Sequence, residues 1–115
     1  MSAQQLQFPD TQGLSKVEFN KMISGELYDA RDPLLCAMRK KARHLCHQIN
    51  ATTDDEHALR NSLFKQLFAQ ECADNVSSCF IEPSFRCDYG SNIYVGKNFF
   101  MNFNCVILDV AEVRI

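Results

Sequence analysis

The C-terminal third of the chain repeats every six residues. Stepping by six from Ile81 gives Ile81, Cys87, Ile93, Phe99, Cys105 and Ala111, all apolar or small. Two places on, the same step gives Pro83, Tyr89, Val95, Met101, Ile107 and Val113, none of them charged. Charges fall between these phases, at Glu82, Arg86, Asp88, Lys97, Asp109, Glu112 and Arg114. A period of six fits neither a helix nor a hairpin. It predicts a parallel β-helix, whose short strands meet at corners and point the repeat-setting side chains into a narrow core. Three hexads per turn make 81–98 one coil and 99–115 nearly a second. Gly90 and Gly96 share a phase at which a corner is expected to need a glycine-type backbone. The repeat is still running at Ile115, which leads us to expect the front part of a longer solenoid.

Upstream the spacing changes to a helical one. Ser15-Lys16-Val17-Glu18 has the form of a capping box and opens a short helix, with Val17, Met22 and Phe19 on its apolar side and Gly25 ending it. Asp32-Pro33 opens a second helix, with Asp32 as cap and Pro33 at the first position. Leu34, Leu35, Met38, Ala42, Leu45 and Ile49 follow on one stripe, with Arg39, Lys40, Lys41 and Arg43 on the other side. Thr53-Asp54-Asp55-Glu56 is a second capping box. The third helix is expected from there to about Cys72, with Leu59, Leu63, Leu67 and either Phe64 or Phe68 inward. Residues 73–78 read as a turn-rich link.

The predicted class is therefore α+β: N-terminal helices, including a helical hairpin, packed on the start of a left-handed parallel β-helix and covering its first coil. The expected divisions are a flexible tail over 1–14, a helical region over 15–78 and a hexapeptide-repeat region over 79–115.

Composition adds exclusions. The chain has 115 residues and a formal net charge of −2, which argues against nucleic acid as a partner. No apolar run is long enough for a membrane helix and no secretory leader is visible, so a cytoplasmic location is expected. The six cysteines are then expected as reduced thiols, with Cys87 and Cys105 packing as small apolar residues. His44, Cys46 and His47 come nearest to a metal cluster, but no second pair of ligands is evident and no metal is expected.

Three stretches carry a family resemblance: ISGELY at 23–28, EPSFRCDYGSNI at 82–93 and GKNFFMNFNC at 96–105. Together they resemble the maltose and galactoside O-acetyltransferases and the nodulation-factor acetyltransferases, over nearly the whole chain. The resemblance implies a homotrimer of left-handed β-helices, acetyl-CoA as co-substrate, a sugar or related hydroxyl as acceptor, and a site between neighbouring subunits. It also implies a histidine general base, because a sugar hydroxyl is a poor nucleophile until its proton is removed.

Carried over position by position, the resemblance gives Asn102 a role in stabilising the transition state and placing the acceptor. It places Asp88, Asp109, Phe100 and Arg39 beside the acceptor. Val110 stands where the galactoside type has a second carboxylate, and Ala30 where the family has an acid after its "GELY" segment. The family's catalytic histidine lies beyond the position matching Ile115, and no coenzyme-binding residue is assigned to this chain. The same residues have plainer readings. Asn102 could complete a coil corner, Asp88 and Asp109 could be solvated corner residues, Phe100 could sit at a trimer contact, and Arg39 could be an ion-paired helix residue. The functions implied are an acetyl-CoA-dependent O-acetyltransferase, or alternatively an inactive truncated homologue serving only in assembly. A thiol-redox or metal module is suggested by the cysteine count alone.

Overall fold

A computed structural model describes residues 10–115 of the chain. The expected tail over 1–14 falls mostly outside the described residues. Four helices come first, α1 (Val17–Ile23), α2 (Pro33–Asn50), α3 (His57–Leu67) and α4 (Ala73–Val76). Six short strands follow: β1 (Phe80–Ile81), β2 (Phe85–Cys87), β3 (Ile93–Tyr94), β4 (Phe100–Met101), β5 (Cys105–Ile107) and β6 (Val113–Arg114). They pair in parallel as β1–β4, β2–β5 and β3–β6, so the chain winds two coils of a three-sided solenoid.

The coils do not repeat at eighteen residues. Phe80 pairs with Phe100, Phe85 with Cys105 and Ile93 with Val113, each partner twenty positions on. The hexad reading therefore mis-stacks the second coil: Ile81 lies on Met101, not Phe99. The spacing between β2 and β3, which spans the corner at 88–92, exceeds a hexad, and the corner at 108–112 reproduces it. Ala111, expected inward, is exposed. Tyr89, also expected in the lumen, instead joins Met22 and Leu35 in a separate cluster under α1 and α2.

The helices form as their capping chemistry dictates, with two exceptions. Asp32 accepts from the backbone N–H groups of Leu34 and Leu35, and Pro33 begins α2. Glu56 reaches back to accept from the Thr53 N–H ahead of α3. The Ser15 box does not close: Ser15 Oγ accepts from the Val17 N–H, and Glu18 Oε1 is taken by the Asp29 N–H, 2.7 Å away. The third helix stops at Leu67, because Phe68 turns extended and the Ala69 N–H leaves to donate to the Ile93 carbonyl of β3. Residues 73–76, expected as a link, make the short α4.

Both phenylalanines of α3's end are inward. Phe64 and Phe68 pack with Phe85 at ring separations of 5.6 and 5.9 Å, joining the helical hairpin to the coil in one core. Leu59, expected inward, is exposed.

The helices also satisfy the free edge of the first coil. Asn50, the last residue of α2, receives the Phe85 N–H on its Oδ1 at 2.8 Å and donates Nδ2 to the Phe85 carbonyl at 3.0 Å. One carboxamide thus replaces a neighbouring strand on β2. Asn75 Nδ2 donates to the Val95 carbonyl in the same manner. An edge strand left with bare N–H and C=O groups templates association, and here side-chain amides close it.

Candidate functional site

Asp88, Tyr89 and Arg39 meet where the helical cap touches the long first-coil corner. Arg39, on α2, donates Nη1 to the Tyr89 hydroxyl at 2.8 Å and Nη2 to the Ala30 carbonyl at 2.7 Å. Its guanidinium also stands 5.8 Å from the Tyr89 ring centre. One side chain thereby ties the loop at 29–32 and helix α2 to the coil. Burial works against the Arg39 charge, but the Tyr89 hydroxyl and the nearby Asp88 carboxylate outweigh it and hold its pKa up. Burial likewise pushes the Tyr89 phenol up. The half-buried Asp88 follows β2 directly, beside this cation.

Asp109 occupies the matching corner of the second coil and is fully buried. Its Oδ1 accepts the Tyr89 N–H at 2.9 Å, its Oδ2 accepts the Asn92 N–H at 3.2 Å, and its backbone carbonyl accepts Asn92 Nδ2 at 2.8 Å. Burial raises its pKa, while amide donors from Tyr89, Asn92 and Gly90 pull it partly back. The side chain expected beside an acceptor is instead a plug between coils. The reason is the long corner, whose backbone N–H groups face the next coil and need an acceptor.

Asn102 and Phe100 lie elsewhere. Both belong to the second coil at the β4 side, Asn102 exposed and Phe100 60% exposed. Asn102 Oδ1 accepts the Phe103 N–H at 2.8 Å, which turns the corner. Its side-chain N–H groups have no partner among the described residues and are free to donate. Phe100 stacks on Phe80 at 6.1 Å, and Phe80 on His57 at 5.0 Å, forming an outer aromatic row. Asn102 and Asp88 thus sit at opposite ends of the β2–β5 face, separated by a three-residue strand of roughly 10 Å. The structure gathers Arg39 and Asp88 at one corner, leaves Asn102 and Phe100 at another, and removes Asp109 from solvent.

Sequence reasoning missed Tyr89 as the partner of Arg39. It was absorbed into the hexad phase, and only the twenty-residue register takes it out. Asn50 and Asn92, which serve backbone groups, had no sequence signal beyond being polar near apolar stretches. His44, His47 and His57 all lie on helices, and no group of metal-ligating side chains is found among the described residues. No helix among them is long and apolar enough to cross a membrane.

Comparison with known proteins agrees with this geometry. Residues 21–70 match the maltose acetyltransferase hexapeptide capping motif, the segment that forms the helical cap. A Saccharomyces cerevisiae protein carrying a provisional acetyltransferase name is 43% identical over 95 residues, covering 82% of this chain and 46% of its own length. The solved maltose O-acetyltransferase of Clostridium difficile superposes with a TM-score of 0.73 at 39% identity, over 83% of this chain and 49% of that one. A hexapeptide-repeat acetyltransferase of Vibrio cholerae, solved with acetyl coenzyme A, gives 0.64 at 30% identity, over 84% of this chain and 50% of that one. The chain spans about half the length of the relatives it matches.

Proposed function

This chain belongs to the hexapeptide-repeat acetyltransferases of the maltose O-acetyltransferase type, and on that basis we propose that it carries the acceptor side of an acetyl-CoA-dependent O-acetyltransferase. The proposed acceptor is a hydroxyl of a small sugar such as maltose, glucose or a galactoside. The working unit is a homotrimer of left-handed coils with its site between neighbours, in the cytoplasm. The observation that carries the reading is the exposed Asn102, whose side-chain amide has free donors at a corner fixed by its Oδ1 accepting the Phe103 N–H.

In this reading Asn102 donates to the oxyanion that forms as the acceptor oxygen adds to the thioester carbonyl. Asp88 accepts from a sugar hydroxyl, its charge balanced by Arg39. Arg39 acts on the acceptor through Tyr89 and the 29–32 loop rather than by touching it. Phe100 offers an apolar face to a sugar ring. Asp109 keeps the Asp88–Asn92 corner in shape and takes no part in acceptor contact. The acetyl group comes from acetyl-CoA, the ligand of the Vibrio cholerae relative. The three histidines of this chain are on the cap, and the general base and the coenzyme contacts are assigned to no residue of this chain.

The test is sugar-dependent release of CoA thiol from acetyl-CoA by the native protein purified from its source, across a panel of mono- and disaccharides. The expected result is release with at least one sugar, and in Asn102→Ala a loss of kcat larger than the rise in KM for that sugar. Absence of release with every sugar would overturn the enzymatic reading. An outward apolar pair on the second coil, Val106 at 61% and Leu108 at 65% exposure, supports the alternative of a non-catalytic assembly unit. That reading predicts association with no turnover.

A further inference from the structure

The two thiols between the cap and the coil are a feature that the acetyl-transfer reading leaves unused. Cys46 lies on α2 and Cys87 ends β2, with their sulfurs 3.9 Å apart. No other pair of thiols is in such contact among the described residues, and all six cysteines are free. Both line a cavity of about 200 Å³ whose other walls are Arg43, His47, Asn50, Arg86 and the helix surface. Arg43 and His47 continue into an open bay of about 390 Å³ shared with Lys40 and His44. Neither Arg43 nor Arg86 is ion-paired among the described residues. The half-buried Cys87 therefore lies at a positively charged entrance, with the buried Cys46 behind it.

We propose that Cys46 and Cys87 form a reversible thiol–disulfide modification site, served by anionic low-molecular-weight disulfides through this basic entrance, that locks helix α2 onto strand β2. Bonding requires the sulfurs to close from 3.9 Å to a separation of about 2.05 Å. The two roles differ in access. The sulfurs share a hydrogen bond in which either can donate, so the S–H of one can hold the other as a thiolate. Cys87 is half-buried and Cys46 is buried, so Cys87 is the attacking thiolate and Cys46 the resolving thiol.

The Cys87 thiolate attacks one sulfur of the small disulfide. The S–S bond of the small molecule breaks, a mixed disulfide forms on Cys87, and one thiolate leaves. Cys46 then gives up its proton and attacks the Cys87 sulfur, expelling the second small thiolate. Two protein thiols are oxidised, one small disulfide is reduced, and the two protein protons end on the two released thiols. The lock would fix the cap against the strand that leads into Asp88. This inference does not depend on the acetyl-transfer reading, since its readout is the state of the sulfurs.

The experiment treats the native protein with glutathione disulfide, blocks remaining thiols, and maps linkages by mass spectrometry without reduction. The expected product links Cys46 to Cys87, leaves the buried Cys72 and Cys79 unmodified, and carries at most a mixed disulfide at the exposed Cys36. The linked form should show a raised thermal midpoint and revert with reduced glutathione. If Cys46 and Cys87 stay alkylatable while Cys36 reacts, or if they link only after unfolding, the proposal fails. The entrance is tested with the wild type alone and with Arg86→Gln. At low salt, the preference for glutathione disulfide over the cationic cystamine should fall by about tenfold in the variant. An unchanged preference would remove the basic entrance from the proposal.

Discussion

The two coils share one backbone path and differ in what covers them. In the first, Phe85 and Ile93 are fully buried, because α2, α3 and the turn after α3 lie against them. Their partners twenty residues on, Cys105 and Val113, are only half-buried. Ile81 and Met101 repeat the contrast. Asp109 is the exception: in the second coil it is as buried as any core residue, because it answers the amides of the corner beneath it. A parallel solenoid does not acquire a core from its repeat alone. Burial comes from stacking, and here the helical cap is the first stacked layer. Stability should therefore concentrate at the cap–coil junction, while exposed second-coil residues such as Phe100 and Asn102 sit where substitution is tolerated.

The hardest test of that contrast is Gly90. Its φ is +75°, and an added Cβ would run into the Leu67 side chain and sit 2.7 Å from the Leu67 carbonyl oxygen. Gly90→Ala should destabilise by about 4 kcal/mol or prevent folding, since the clash is with backbone and the conformation is left-handed. The equivalent change at Gly96, which has an ordinary φ, meets only the Ile115 carbonyl oxygen at 3.3 Å and should be far milder. Urea unfolding of the two variants side by side checks this, and equal losses would break the distinction between the corners.

Asp109→Ala ranks next. It leaves the Tyr89 and Asn92 N–H groups buried without an acceptor and should cost about 3 kcal/mol. The pH dependence has a definite sign. The folded-state pKa is raised above 3.8, so the folded state holds the proton more tightly than the unfolded chain. Asp109's contribution is then full below the unfolded pKa and declines as pH rises through the folded one. The stability difference between wild type and Asp109→Asn should move against the wild type as pH rises from about 4. A difference that moves the other way would mean that the amide bonds dominate over burial.

Asn50→Ala removes the carboxamide that closes the β2 edge and should cost about 2 kcal/mol, with hydrogen exchange at the Phe85 amide accelerated accordingly. Unchanged exchange at Phe85 would show that water replaces the side chain without loss. The smallest effect is expected on the second coil's outer side. Val106→Ser should change stability by no more than about 0.5 kcal/mol, because the residue is already mostly in water. A large loss there would mean that this face is covered in solution.

Much of the cap was legible from residue spacing. Asp32-Pro33, the Thr53–Glu56 box and the α2 stripe all act locally, and local chemistry survives into the fold. The Ser15 box was not, because a distant amide, that of Asp29, won the Glu18 carboxylate. The candidate site was legible as a set of residue types and not as an arrangement. Asp88 and Asn102 read alike as polar corner residues, yet one lies near the Arg39 cation of α2 and the other carries free donors. Asp109 reads alike too, and is inaccessible.

The sequence alone determined the order of helices first and short strands after, the capped start of α2 and the presence of a six-residue rhythm, because each depends on neighbours within a few positions. Only the tertiary structure decided the twenty-residue register, the burial of Asp109, the Arg39–Tyr89 tie and the meeting of Cys46 with Cys87. Those depend on how far one long corner displaces the coil and on which helix face lies against it, quantities that no local window of residues contains.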